Sequence, residues 1–321
     1  MNIRRIAAIW AAKAAGAGCK LLGRQGVTWA GKIALKIYPP ILQELAAEVR
    51  KDIFVVCGTN GKTTTNNMLC AALEEEGNKV ICNHTGSNML NGVVAAFALG
   101  AGMNGHIDAD YACIEVDEAS TRHIFTKIKP NYMVMTNLFR DQLDRYGEID
   151  ITMNILEEMI RKVPDMKLIV NGDDALSAYL AKDSGNACIY YGISRPVMKN
   201  ETNEIREGRF CKCCGERLQY SFYHYSQLGD YRCPKCGFKR PTPDFDAEDV
   251  KVGLSSNSST MIFSVKLLTL NHSACSKSSF EYIFSLCSSI CNGNFLLNIW
   301  YISVPSSKSN TYSSSSSYNL L

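Results

Sequence analysis

The chain has 321 residues, of which 46% are hydrophobic and 20% charged, with a formal net charge of +3. That length holds two domains of ordinary size with real cores and excludes a disordered protein, and the near-balanced charge gives no reason to invoke nucleic acid or anionic lipid as a partner. Fourteen cysteines without a secretion signal point to a reducing compartment, with the cytoplasm as default, where cysteine pairs more often bind metal than form disulfides.

Met1 to Leu22 carries Arg4 and Arg5 before an alanine-rich stretch that Lys13 and Lys20 interrupt. It is too broken to span a bilayer, which needs roughly 20 apolar residues. An amphipathic helix is expected, packed on the body or resting on a membrane surface. Residues 23 to 50, with Gly23, Gly26, Gly31, a Pro39-Pro40 stop and a helix-like Ile41 to Lys51, form a lead-in to the first strand.

Ile53 to Cys57 is a short apolar, β-branched run, and Asn66 to Glu76 shows helical spacing, with Met68, Leu69, Ala72 and Leu73 on one side. Between them stands Gly58-Thr59-Asn60-Gly61-Lys62-Thr63-Thr64-Thr65. A glycine turn feeding a helix start presents backbone N–H groups to phosphate oxygens. Lys62 reaches the β/γ-phosphates and the Thr63 hydroxyl joins a Mg²⁺ shell, which argues for ATP or GTP. The longer form of this motif would begin with glycine at position 56, which here is Val56. With strand and helix in place, a glycine turn that binds nothing is the weaker alternative.

From Ile53 to about Tyr191 the pattern alternates. Strand-like runs at Lys79–Cys82, Tyr111–Val116, Tyr132–Thr136, Leu168–Asn171 and Ala187–Tyr191 are separated by helical segments at Gly92–Gly100, Ile149–Lys162 and Asp174–Asp183. This predicts an α/β fold, a mostly parallel sheet with helices on both faces, whose ligands lie at the carboxyl ends of strands. Asn83 to Asn88 follows the second strand, and its His84 reads equally as a surface loop residue or a substrate contact. Glu115 ends the third strand beside Asp117 and Glu118. A carboxylate at that edge needs a reason, and a cation is the usual one; a structural salt bridge is the alternative for Glu115, and Asp117 and Glu118 are assigned to loop backbone. After the fourth strand comes Asn137 to Glu148, where Asp141 and Asp144 bracket Gln142. These acids read as orienting water around the cation or binding loop backbone, or else as a charged helix cap. The fifth strand ends in Asn171-Gly172-Asp173-Asp174, ordinary loop chemistry taken alone.

Cys211-Lys212-Cys213-Cys214-Gly215 and Cys233-Pro234-Lys235-Cys236-Gly237 are two knuckles, with 18 residues between Cys214 and Cys233. This spacing predicts Zn²⁺ held by Cys211, Cys214, Cys233 and Cys236, with Cys213 spare and each knuckle closed by a glycine. Four thiolates leave no open coordination position, so the zinc is expected to be structural. Lys235, Lys239, Arg240, Tyr220 and Tyr223 offer only modest nucleic-acid character, and none is expected as a partner. A strand-like return over Thr260–Val265 follows. Beyond Val265 the sequence turns serine-rich and almost free of acids, and it is expected to be poorly ordered.

Together these motifs cover residues 32 to 265 and resemble the Mur ligase family, within it the MurT-type subunits of lipid II isoglutaminyl synthase, which an inserted four-cysteine ribbon sets apart. The resemblance implies a central ATP-binding domain over 51–194 and 240–265, a ribbon over 195–239, a helical lead-in over 1–50 and an atypical tail over 266–321. It makes Gly58, Thr59, Asn60, Gly61, Lys62, Thr63 and Thr64 the phosphate loop, with Thr63 and Glu115 at Mg²⁺. Asn171 is implied near the adenine, with Asp173 fixing its loop, and Lys62, Glu115 and Asp141 are implied in catalysis. The Asn83–Asn88 loop is implied to face the carboxylate substrate. The implied reaction is ATP-dependent amidation of the D-glutamate α-carboxylate in the lipid II stem peptide, through an acyl phosphate. A GatD-type glutamine amidotransferase partner supplies ammonia, and lipid II is met at the inner face of the membrane. Gln142 stands where the family carries a histidine near a second Mg²⁺, which leaves one or two ions open. The tail matches nothing in the family's C-terminal ligase domain and reads as frame-altered sequence or a divergent fragment, with a novel domain as the alternative. Two other readings stand beside this one: a Mur-type ligase adding an amino acid, and a non-catalytic module binding nucleotide and zinc.

Overall fold

In a computed structural model, the structure is described for residues 2–21, 26–84, 86–139, 148–196, 209–255 and 258–269, with backbone alone at 148, 225, 248–255 and 258–269. Among the described residues, ten strands form two sheets. The strands are β1 (Ile53–Cys57), β2 (Val80–Cys82), β3 (Tyr111–Glu115), β4 (Tyr132–Met135), β5 (Lys167–Asn171), β6 (Cys188–Ile193), β7 (Gln219–Tyr225), β8 (Leu228–Arg232), β9 (Phe245–Ser255) and β10 (Ser258–Thr269). The main sheet has the order β10-β9-β6-β5-β4-β1-β3-β2, and β7 with β8 makes a separate hairpin. Every pairing in the main sheet is parallel except β9 with β10 at one edge. The sequence pattern foresaw β1 to β6 within a residue or two and missed β9, whose Phe245-Asp246-Ala247-Glu248-Asp249 start alternates with acids and lacks a β-branched run.

Helices α1 (Ile3–Leu21), α2 (Val27–Ile37), α3 (Ile41–Ala46), α4 (Lys62–Glu75), α5 (Leu90–Gly100), α6 (Thr121–Ile124), α7 (Glu148–Lys162) and α8 (Ala175–Lys182) complete the described elements. The lead-in is thus three helices. The third stops at Ala46 rather than Lys51. Ala8, Ile9 and Ala12 of α1 and Ala30 and Ala34 of α2 enter the same core as Val93, Val94 and Phe97 of α5 and the inward residues of β1 and β3. Arg5 ties α1 to the lead-in's end through Glu44 at 3.4 Å and Glu48 at 2.7 Å. On α4 the buried stripe is Thr65, Asn66, Leu69, Cys70 and Leu73, one step round the helix from the face its apolar residues alone predict, because two polar residues are buried with it.

A second core on the opposite sheet face joins Phe54 and Val56 to Leu69, Cys70, Leu73 and Cys113. All five residues of β1 are buried, as expected for a central strand covered on both sides. The order places β2 and β3 on one side of β1 and β4, β5 and β6 on the other. Connections leaving β1 and its neighbours diverge there, opening a crevice at the carboxyl edge of β1, β3 and β4.

Candidate functional site

The turn between β1 and α4 needs two positive φ angles, +132° at Gly58 and +79° at Gly61. A Cβ on Gly58 would collide with the Thr136 hydroxyl and the Asn137 backbone, so only glycine fits. The residues after β4 hold the turn in place. Thr59 donates its N–H to Asn137 O at 2.7 Å, Asn60 N donates to Asn137 Oδ1 at 3.0 Å, and Asn60 O accepts from Thr136 Oγ1 at 2.8 Å and Asn137 Nδ2 at 3.1 Å. Thr59 Oγ1 donates to Phe139 O at 3.0 Å. Gly61 caps α4 without any side-chain oxygen, which leaves the positive end of the helix facing the crevice.

Lys62 and Thr63 open α4. The Lys62 ammonium lies 3.2 Å from Glu118 Oε1, with both side chains 13% exposed, and donates to Thr59 O at 3.3 Å. Glu118 also accepts the Gly58 N–H at 2.9 Å, the loop-backbone role expected of it. Burial pushes its carboxyl above the ordinary range, and Lys62 opposes that. Asp117 caps the turn that follows by accepting from Ser120 N.

Thr63 Oγ1 donates to Glu115 Oε2 at 2.7 Å. Glu115 is 2% exposed at the end of β3, in register with Val56, and its other oxygen accepts from Asn88 Nδ2 at 3.0 Å. Asn83 clamps the same residue, accepting Glu115 N at 2.8 Å and donating to Glu115 O at 2.9 Å. A hydroxyl and a carboxylate side by side, with no nitrogen or sulfur donor between them, fit a hard divalent cation such as Mg²⁺. Glu115 therefore meets the phosphate loop, as its position in sequence predicts. His84, in the same loop as Asn83, turns to α4, with Nδ1 3.2 Å from Asn67 Oδ1. Asp141, Gln142, Asp144 and Thr85 lie outside the described residues.

Asn171 and Asp173 sit at the end of β5. Asn171 donates to Thr136 O at 2.8 Å and accepts from Asp173 N at 3.0 Å, so its amide holds the fourth and fifth strand ends together. Asp173 accepts from Arg240 Nε at 2.6 Å and Ile193 N at 2.8 Å. Burial raises its carboxyl to about 6, with Arg240 pulling the other way. Asp174 caps α8, accepting from Ser177 N and Leu138 N.

The four ribbon sulfurs, Cys211, Cys214, Cys233 and Cys236, lie within 4.8 Å of one another, with Cys211–Cys236 and Cys214–Cys233 both at 3.5 Å. Zinc–sulfur bonds of 2.3 Å in a tetrahedron separate the sulfurs by roughly 3.8 Å, so the donor set fits zinc. Gly215 and Gly237 close the knuckles at φ +74° and +77°, and Cys213 is exposed. The ribbon packs Leu218, Tyr231 and Phe238 on Ala175 and Ala178 of α8. Gln227, at the hairpin tip, donates to Leu138 O at 2.8 Å and Asp174 Oδ1 at 3.0 Å. Sequence reasoning missed Gln227, gave the Asn83–Asn88 loop to the substrate without foreseeing that Asn83 and Asn88 hold Glu115, and read Arg240 only for its basic character. Only the Asn83 to Asn88 loop carried a signal, because it follows a strand at the ligand edge. Arg240 is 9% exposed on Asp173, since its ribbon folds back over the sheet edge.

Residues 56–230 match the Mur ligase middle domain. The chain is 38% identical over 250 residues to the MurT subunit of lipid II isoglutaminyl synthase (glutamine-hydrolyzing) from Staphylococcus aureus strain COL, covering 78% of this chain and 55% of that protein. It is 36% identical over 265 residues to the MurT subunit from Streptococcus pneumoniae, covering 82% and 57%. The chain thus spans about half the length of the curated relatives it matches. Among solved structures, a pseudomurein peptide ligase type C from Methanothermus fervidus superposes with a TM-score of 0.54 at 26% identity, over 77% of this chain and 47% of that one. With a parallel sheet, a phosphate-loop turn and a strand-end glutamate inside the matched span, the chain belongs to the Mur ligase family.

Proposed function

We propose that this chain is the nucleotide-binding part of an ATP-dependent ligase subunit that amidates the α-carboxylate of D-glutamate in the lipid II stem peptide. Ammonia comes from a GatD-type glutamine amidotransferase partner. The observation that carries the reading is the Thr63–Glu115 pair, 2.7 Å apart, at the mouth of the Gly58–Thr65 turn. Relatives named as MurT subunits of a glutamine-hydrolyzing synthase support the substrate and the two-subunit arrangement.

A carboxylate is a poor electrophile. Moving the γ-phosphoryl group of ATP onto it releases ADP and gives an acyl phosphate; ammonia then attacks the carbonyl carbon, phosphate leaves, and a proton lost from nitrogen completes the amide. Mg²⁺ held by Thr63 and Glu115 would neutralise phosphate charge. Lys62 exchanges its contact with Glu118 for phosphate oxygens, and the α4 N–H groups bind the same oxygens. Asn137 and Thr136 keep the turn rigid while this happens, which preserves the aim of those donors. Asn171 and Asp173 would line the adenine side, and the family resemblance assigns Asp141 to catalysis. Zinc in the ribbon supplies no chemistry beyond holding the ribbon on α8.

An exposed stripe of α1 serves membrane contact. Ile3, Ala7, Trp10, Ala14, Ala17 and Leu21 are all exposed at helical spacing, and no described helix is long and apolar enough to cross a bilayer. Residues 1–43 hold seven Lys and Arg and no acid, which suits an anionic surface where lipid II resides.

Co-expression with a glutamine amidotransferase tests the function. Co-purification and glutamine-dependent ADP release with lipid II are expected. ADP release that needs a free amino acid and no partner would identify an amino-acid-adding ligase instead, and neither activity with zinc retained would leave a binding module.

A further inference from the structure

Outside the ribbon, one other group of metal-binding side chains converges among the described residues. Cys70 lies on α4, Cys82 ends β2 and His84 follows two residues later, and one donor atom from each falls within 4.8 Å of the others. Cys70 is buried, Cys82 half-buried and His84 exposed, so the cluster runs from the core to the surface.

The donors are oriented as well as close. His84 Nδ1 is 3.2 Å from Asn67 Oδ1, and Asn67 Nδ2 donates to His84 O at 3.5 Å. This selects the tautomer with the proton on Nδ1 and leaves the Nε2 lone pair facing Cys70 Sγ at 4.0 Å. A histidine whose other nitrogen donates to a fixed oxygen is the arrangement metal-binding histidines show. Asn66 Nδ2 donates to Cys82 Sγ at 3.2 Å, which holds that sulfur in place. The hydrogen bond with Cys82 and burial push the Cys70 thiol well up, and Glu74 adds to the effect.

We propose that Cys70, Cys82 and His84 form a second thiolate metal site, taking a thiophilic divalent ion of the zinc class with a fourth position open to solvent. Two sulfurs and one imidazole nitrogen are the donor set such an ion prefers over magnesium or calcium. Binding releases the two thiol protons to solvent and leaves the imidazole neutral, so the site balances the ion's charge. The ion joins α4, whose first turn carries Lys62 and Thr63, to the loop whose Asn83 and Asn88 hold Glu115. It thereby fixes the distance between the two halves of the phosphate site, separately from the ribbon zinc.

The test is zinc content of the whole chain after stripping, reloading with zinc alone and dialysis. His84→Ala at its exposed position, and separately Cys82→Ser, are expected to hold about one equivalent less than the unmodified chain, whatever the ribbon contributes. Cobalt(II) added alone to the stripped chain is expected to give a thiolate-to-metal absorption that weakens in Cys82→Ser. Equal zinc content in the unmodified chain and in His84→Ala, with unchanged cobalt absorption, would overturn the proposal. Since neither reading uses nucleotide turnover, failure here leaves the ligase proposal standing, and the reverse holds as well.

Discussion

Lys62 sits in a contact it must leave. Its ammonium is held between Glu118 and Thr59 O, so phosphate binding exchanges one anionic partner for another. Lys62→Ala should weaken ATP binding by at least about tenfold, equivalent to about 1.4 kcal/mol, with zinc content unchanged. Titration calorimetry on the whole chain decides it, and unaltered affinity would remove the phosphate-loop assignment. Gly58→Ala tests the turn itself. The +132° backbone angle disfavours alanine by roughly 1 to 3 kcal/mol, and its methyl would meet Thr136; a lowered melting temperature together with weaker nucleotide binding is expected. The need for glycine at 58 and 61 was legible in the sequence because the motif is local. The need for Asn137 was not, since its bonds to Thr59 and Asn60 span 77 or more positions.

Between elements, the ribbon hairpin β7–β8 meets the sheet edge through His224, whose ring nitrogen lies 2.7 Å from Ile193 O. His224 lies 3.7 Å from Asp173, and burial lowers its imidazole from 6.5 to about 4, while burial raises Asp173 from 3.8 to about 6. The two act in opposite directions. Asp173 binds more protons folded than unfolded between about pH 4 and 6, so its contribution to stability falls as pH rises through that window. Neutral His224 binds fewer, so its contribution grows as pH rises from about 4 to 6.5. Each amounts to about 3 kcal/mol, so the contributions of these two groups nearly cancel between pH 4 and 6. His224→Gln should instead lose stability as pH rises across that interval, as urea midpoints at fixed pH would record; a level profile in that variant would refute the pairing. Zinc removal acts at the same element. Chelation should loosen the ribbon from Ala175 and Ala178 of α8, and limited proteolysis is expected to cut first within residues 209–240. The cysteine spacing announced the ribbon, yet nothing in it announced α8 as its seat, because small alanines carry no signal until a partner covers them.

For the whole molecule, the exposed stripe of α1 and the acid-free first 43 residues predict binding to anionic vesicles that salt weakens, with little binding to neutral ones. Trp10, 52% exposed, should shift its fluorescence to shorter wavelength on binding, and Trp10→Ala combined with Leu21→Ser should abolish sedimentation with vesicles. Sedimentation unaffected by these changes would assign the stripe to another surface. The sequence by itself determined the alternation of strands and helices, the phosphate-loop turn, the strand-end carboxylate and the four-thiol knuckles, because each depends on spacing within a few residues. Only the tertiary structure decided which strands are neighbours, and so that Glu115 meets Thr63, that Gln227 and Arg240 of the ribbon grip the Asn171–Asp174 loop, and that Cys70 meets Cys82 and His84. Those contacts are set by strand order and by helix packing across the sheet, and burial of apolar faces fixes that order collectively, with no single local pattern to record it.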